Sequence, residues 1–251
     1  MPFNTGFLNI AHRGASSYAP ENTFAAFDRA LAMGVDHAEL DVHLTSDDQI
    51  VVIHDDRVDR TTNGSGPVAD HTLAELKALD AGTWFSLQYA GERIRSFAEI
   101  LEHYKSRIYF HVEIKARPGT EGLATRTIDM VRGYGMTDSV TITSFWKQWL
   151  EETRAYAPEL LTGWLVPMGP GSQWDDSIVD QSLEMGLTQV CPRADITTPE
   201  LVEMLHSKGF VVRCHGIFDE ALMRHAVGCG ADGMTINFPD KLVEYLEEIG
   251  R

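Results

Sequence analysis

Short apolar runs alternate along the chain with stretches of helical spacing. The runs that read as strands are Leu8–Ala11, His37–Leu44, Ile50–Ile53, Ile108–Ile114, Val140–Thr143, Leu161–Leu165, Gln189–Cys191, Phe210–Cys214 and Gly233–Ile236. Helical patterns lie between most of them, over Asn22–Met33, Thr72–Leu79, Phe97–Tyr104, Thr120–Tyr134, Trp146–Tyr156, Asp175–Met185, Pro199–His206, Glu220–Cys229 and Lys241–Ile249. Strands alternating with helices predict βα units and a parallel sheet. About eight such units in a chain of this length predict a closed α/β fold, the (β/α)8 TIM barrel, with a doubly wound sheet as the alternative. No linker or low-complexity tract divides the 251 residues, so one domain over 1–251 is expected. One connection is longer than the rest. Residues 56–106 predict a small insert after the second barrel strand region, carrying the aromatics Trp84, Phe85 and Tyr89 over one end of the barrel.

Two of the strands have a chemical face. Side chains in a strand alternate sides. In His37–Leu44, Ala38, Leu40, Val42 and Leu44 share one face, while His37, Glu39, Asp41 and His43 share the other. In Phe110–Ala116, the apolar residues Phe110, Val112, Ile114 and Ala116 oppose His111, Glu113 and Lys115. A solvated surface strand alternates in the same way. Two such strands in a barrel that packs its outer face on helices instead bring Glu39, Asp41 and Glu113 together inside one end. Three carboxylates at close quarters need a cation to stay ionised. An oxygen-only donor set selects a hard ion, one divalent Mg2+ or Ca2+.

His12 and His54 end apolar runs, where barrel enzymes place reactive groups. If Ser46-Asp-Asp48 turns the chain back, Asp41 falls roughly opposite His54. Two histidines can divide proton removal and donation near neutral pH. Arg13 and Lys115 supply local positive charge, and Arg suits a forked phosphate contact. Asn22 reads equally as a helix cap and as a phosphate contact, whereas Thr23 reads as a cap. His37 and His43 read as supporting groups, and Ser144 as a residue close enough to touch the site.

Charge restricts the partners. Asp plus Glu number 37 and Lys plus Arg 21, a net −16. Such a surface repels nucleic acid and anionic membranes, so an anionic ligand needs local cations. No apolar stretch approaches the roughly 20 residues of a membrane span. The N-terminal stretch shows no secretory signal, and the three cysteines have neither disulfide nor zinc spacing. A cytoplasmic protein is expected, and a homo-oligomer is compatible with the sequence.

In order along the chain, His12-Arg-Gly14, Pro20-Glu-Asn-Thr23, Glu39-Leu-Asp41, His54-Asp55, Arg60-Thr-Thr-Asn-Gly64, the stretch 76–82, Glu113-Ile-Lys115, Ser144-Phe145 and Gly230-Ala-Asp-Gly233 resemble the glycerophosphodiester phosphodiesterase family. The ordered set spans nearly the whole chain. The resemblance implies a TIM barrel and metal-dependent hydrolysis of a small glycerophosphodiester substrate to sn-glycerol 3-phosphate and an alcohol. It implies Glu39, Asp41 and Glu113 as metal ligands, His12 and His54 as the acid–base pair, and Arg13 and Lys115 as phosphate contacts. The sequence departs from the family's pattern in two places. His215-Gly-Ile-Phe218 stands where many members carry a Trp-Thr-Val-Asn run beside the glycerol, and Asn237-Phe-Pro-Asp240 stands where an Asp often precedes the aromatic. His215 and Phe218 are therefore substrate-contact candidates, with Phe218 or Trp84 as replacement walls. The departure opens lysophospholipids or non-glycerol diesters as an alternative substrate class. A silent sugar-phosphate-binding barrel would have lost one of the seven reactive groups, and all seven are present.

Overall fold

The period-two alternation is what lets the sheet close on itself. The computed structural model describes residues 6–115, 121–166, 169 and 171–251. The chain runs β1 (Leu8–His12), α1 (Phe24–Ala32), β2 (His37–Leu44), β3 (Ile50–Val52), α2 (Leu73–Ala78), β4 (Arg95–Ser96), α3 (Phe97–Tyr104), β5 (Tyr109–Ile114), α4 (Leu123–Gly133), β6 (Val140–Ser144), α5 (Lys147–Tyr156), β7 (Leu161–Val166), α6 (Ser177–Glu184), β8 (Gln189–Pro192), α7 (Pro199–Ser207), β9 (Val211–Ile217), α8 (Glu220–Gly228), β10 (Gly233–Ile236) and α9 (Pro239–Glu248). Strands β1, β2 and β5 to β10 pair in parallel, and β1 pairs with both β2 and β10. That closure makes a (β/α)8 barrel and excludes the doubly wound sheet.

The outward faces drive the packing. Leu40 and Val42 of β2, Phe110 and Val112 of β5 and Ile142 of β6 share one buried cluster with Phe27 of α1, Ile100 of α3 and Ile128 of α4. Burying each such side chain stabilises the fold by about 1.5–3 kcal/mol. Two further clusters continue this layer, one around β7 and β8 and one around β9 and β10. The helix starts are capped locally. The Thr23 hydroxyl accepts from Ala26 N at 3.3 Å. Thr72 with Glu75 and Ser96 with Glu99 form capping boxes. Helix α1 starts at Phe24, two residues later than expected, because Asn22 has a left-handed φ of 59°.

Beyond the barrel rim, β2 continues into an antiparallel hairpin with β3. Asp48, at φ 59°, turns the chain, and the Thr45 hydroxyl accepts from Gln49 N at 2.9 Å. The hairpin brings Asp41 opposite His54 to within one residue. Ile53, not His54, lies across from Asp41, with Ile53 N donating to Asp41 O at 3.1 Å. His43 Nε2 lies 3.0 Å from His54 O, which ties the next residue to the same strand. Val58, Val68, Leu76, Ala81 and Ile94 build a separate small core above this hairpin. Within residues 56–106, Arg95–Ser96 form β4 and Phe97–Tyr104 form α3, the helix expected there, and Phe97, Leu101 and Tyr104 pack in the main outer cluster. Ala116 and Thr120, read as a strand end and a helix start, lie outside the described residues. Among the described residues, no helix is long and apolar enough to cross a membrane.

Candidate active site

The site forms where the strand ends bring inward faces to one height. His12 of β1 is in register with Glu39 of β2, and Asp41 with Glu113 of β5. One oxygen from each of Glu39, Asp41 and Glu113 lies within 4.8 Å of the others, and all three residues are buried. Directly after β1 the backbone turns through left-handed conformations at Arg13 (φ 55°) and Gly14 (φ 81°). Only glycine suits the second position, since a Cβ there would stand 2.6 Å from the Ala26 carbonyl carbon. The turn aims Arg13 N at Glu39 Oε2, 3.1 Å away, and brings Arg13 Nε to 3.4 Å from Asp41 Oδ2.

The charges do not balance. Lys115 Nζ lies 2.9 Å from Glu113 and 3.3 Å from Asp41, so two cations face three carboxylates. Burial pushes the Glu39 carboxyl well above its usual range, and Asp41 and Glu113 push it further. Burial likewise raises Glu113, with Lys115 opposing and Asp41 adding to the rise. Asp41 goes the other way, because Lys115, Arg13 and a 3.0 Å hydrogen bond from Asn22 Nδ2 outweigh its burial. Glu39 Oε1 and Asp41 Oδ1 are buried and accept no hydrogen bond. An all-oxygen set with surplus negative charge, and with Glu39 Oε1 left without any partner, fits a hard divalent cation.

The two histidines are held differently. His12 Nδ1 lies 2.6 Å from Asn237 Oδ1. That acceptor puts the ring proton on Nδ1, leaving the Nε2 lone pair 3.8 Å from Glu39 Oε2. Burial, and then Arg13, lowers the His12 pKa to about 3, so the ring is neutral at neutral pH. His54 Nδ1 donates instead to Asp55 Oδ1 at 2.6 Å. Hydrogen bonds from Arg60 hold the Asp55 carboxyl well below its usual range despite some burial. Arg60 also forks onto Glu21, and Glu21 in turn accepts from Arg13 at 3.0 Å. One chain of ion pairs therefore joins the loop after β1 to His54.

These groups face a cavity of about 240 Å³ at the C-terminal ends of the strands. His12, Arg13, Glu39, His54, Glu113 and Lys115 line one side. His215 and Phe218 line it as well, His215 buried and Phe218 68% exposed at the mouth. Asn22 is buried against Asp41, and Thr23 is the helix cap. Trp84 does not line the cavity; it packs edge-on against Phe85 in the insert. Phe145 takes the wall position instead, 5.3 Å edge-on from His215. Ser144 does not line the cavity; its hydroxyl donates to Ile114 O at 3.1 Å. Sequence reasoning missed Asn237 as the His12 partner, the Glu21–Arg60–Asp55 chain, and two arginines in the cavity wall, Arg193 and Arg213. Arg213 lies two residues before His215 on one strand, so the same alternation carried the signal.

Residues 12–241 match the profile of the glycerophosphoryl diester phosphodiesterase family. A glycerophosphodiester phosphodiesterase of Caldanaerobacter subterraneus subsp. tengcongensis is 37% identical over 246 residues, 97% of this chain and 99% of its own length. A Bacillus subtilis relative is 47% identical over 153 residues, 61% of this chain and 63% of its own. The fold is similar to that of an Oleispira antarctica phosphodiesterase solved with the product sn-glycerol 3-phosphate, at TM-score 0.88 and 28% identity over 95% of this chain and 96% of that one. With its barrel closed and nearly its whole length matched, the chain belongs to the glycerophosphoryl diester phosphodiesterase family.

Proposed function

We propose that the protein hydrolyses glycerophosphodiesters to sn-glycerol 3-phosphate and an alcohol, and that Glu39, Asp41 and Glu113 hold one divalent cation, Mg2+ or Ca2+. The observation that carries this reading is the buried carboxylate triad, in which Glu39 Oε1 and Asp41 Oδ1 accept no hydrogen bond, set between Arg13 and Lys115. A bound cation would offset charge on a phosphoryl oxygen. Arg13 and Lys115 orient the phosphate and give an anionic substrate a favourable mouth on an acidic protein. His12, neutral and with its Nε2 lone pair free of protein donors, takes the proton from the attacking water. His54 gives a proton to the departing alkoxide, and the Asp55 carboxylate offsets the charge of the imidazolium that precedes that step. The relative bound to sn-glycerol 3-phosphate supports the product assignment.

A second reading, lysophospholipids or non-glycerol diesters, is favoured by exposed Phe218 at the mouth and by His215 and Arg213 within. We place the enzyme in the cytoplasm, a location supported by three buried, unpaired thiols at Cys191, Cys214 and Cys229. The test is release of sn-glycerol 3-phosphate from glycerophosphocholine and glycerophosphoethanolamine, compared with the lyso forms. Faster turnover of the deacylated diesters is expected. Absence of turnover across the panel would refute the function, and preference for the lyso forms would favour the second reading.

A further inference from the structure

The wall of the cavity away from the carboxylates holds a charge with nothing to balance it. Arg213 rises from β9 into the barrel interior and is 1% exposed. Its Nε donates to Gln189 Oε1 at 3.2 Å and its Nη1 to Thr235 Oγ1 at 2.5 Å, both neutral acceptors. Its Nη2 is buried and has no acceptor. Among the described residues, no carboxylate forms an ion pair with it. The contrast is Arg193 in the same wall, whose fork is already engaged by Asp195 at 3.0 and 2.9 Å. A buried guanidinium without a counter-ion is costly, and a donor left open at a cavity surface is the usual mark of a group that a ligand satisfies.

Two more unpartnered atoms line the same cavity: Thr143 Oγ1 and His215 Nε2. His215 is neutral at neutral pH and hydrogen-bonds the Val166 carbonyl, so its other nitrogen, Nε2, presents a lone pair. The set therefore offers one open N–H donor of a cationic guanidinium, a hydroxyl and an acceptor. A neutral hydroxymethyl group can pair with these atoms through its one oxygen, but it brings no negative charge to offset the buried guanidinium. An oxyanion with a neighbouring hydroxyl, the arrangement in glyceric acid, satisfies all three.

We infer that Arg213, Thr143 and His215 form a second oxyanion subsite, so that the moiety buried alongside the phosphate is bound best when it carries a carboxylate or phosphoryl group next to a hydroxyl. The inference rests on the phosphodiesterase reading, which puts the phosphate between Arg13 and Lys115. It adds to the glycerophosphodiester reading a preference, within the diesters the site accepts, for those whose buried alcohol is itself acidic. The cavity, about 240 Å³, is wide enough for both anionic ends of a three-carbon compound.

Calorimetric binding to the full protein tests it with a matched pair. 3-Phosphoglycerate differs from sn-glycerol 3-phosphate by a carboxylate in place of a hydroxymethyl group. Glycerol 1,3-bisphosphate, as a third probe, separates a phosphoryl preference from a carboxylate one. The expected result is at least tenfold tighter binding (about 1.4 kcal/mol) of one or both dianionic-ended compounds. Arg213→Gln should bring the ratio close to one. Thr143→Val, which breaks no existing hydrogen bond, should reduce it while keeping the fold if the arginine variant does not fold. Equal affinity of the three compounds for the wild-type protein would overturn the subsite, whatever the turnover. Absence of glycerophosphodiester hydrolysis would instead count against the functional reading, because the binding ratio is read without turnover.

Discussion

Removing Arg60 should uncouple His54 from the rest of the site with little loss of fold. The guanidinium donates to both Asp55 oxygens, at 2.7 and 3.0 Å, and to both Glu21 oxygens, at 2.7 and 2.8 Å. Its side chain is 44% exposed, so solvent screens each pair and the stability at stake is about 1 kcal/mol. For a chain of this size that is a drop of about 2–4 °C in melting temperature. The effect on rate is larger. In Arg60→Met, Asp55 is free to turn away from His54 Nδ1, and a displacement near 1 Å costs on the order of 10²-fold in rate. Arg60→Lys keeps the charge but not the fork, and should fall between the two. The assay is kcat for sn-glycerol 3-phosphate release alongside a thermal melt. A melting shift of the stated size with an unchanged kcat would refute the idea that this ion-pair chain positions His54.

Gly14→Ala should lower both stability and activity, because the added Cβ meets the Ala26 backbone at 2.6 Å and the left-handed φ of 81° adds about 1–3 kcal/mol of strain. A melt and an activity assay check it, and a variant indistinguishable from wild type in both would contradict the turn geometry. His215 gives a pH prediction. Burial first, and then Arg213 and Arg193, lower its pKa to about 3, with the Val166 carbonyl and Asp195 opposing. Its folded pKa lies below the ordinary histidine value of about 6.5, so its contribution is complete above that pH and shrinks as pH falls towards 3. His215→Asn should therefore lose melting temperature less steeply than wild type between about pH 6.5 and pH 4.5. Parallel curves would show that His215 does not resist protonation.

What the sequence makes legible follows from the range of each interaction. Glu39, Asp41 and Glu113 were readable because a strand repeats every two residues, and a barrel turns the polar face of each strand to the same interior. The hairpin at Asp48 was readable, and its register to within one residue, since one residue more or less in a turn leaves the local pattern unchanged. His12 meets Asn237 across 225 residues of chain, a contact created only when β10 closes on β1. Arg60 lies in an insert whose path no periodicity dictates, so its grip on Glu21 and Asp55 could not be foreseen. Trp84 illustrates the opposite error. A large aromatic near a site attracts a wall assignment, yet its indole Nε1 donates to Ala81 O within the insert, and Phe145 faces the cavity.

On the proposed reading, the three buried carboxylates hold a divalent cation without which the diester is not cleaved. The direct measurement is the rate of sn-glycerol 3-phosphate release from one glycerophosphodiester by the same preparation before chelation, after dialysis against EDTA, and after return of Mg2+ or Ca2+. The rate is expected to fall to background on chelation and to recover with at least one of the two ions. A chelated protein that keeps its full rate would contradict it.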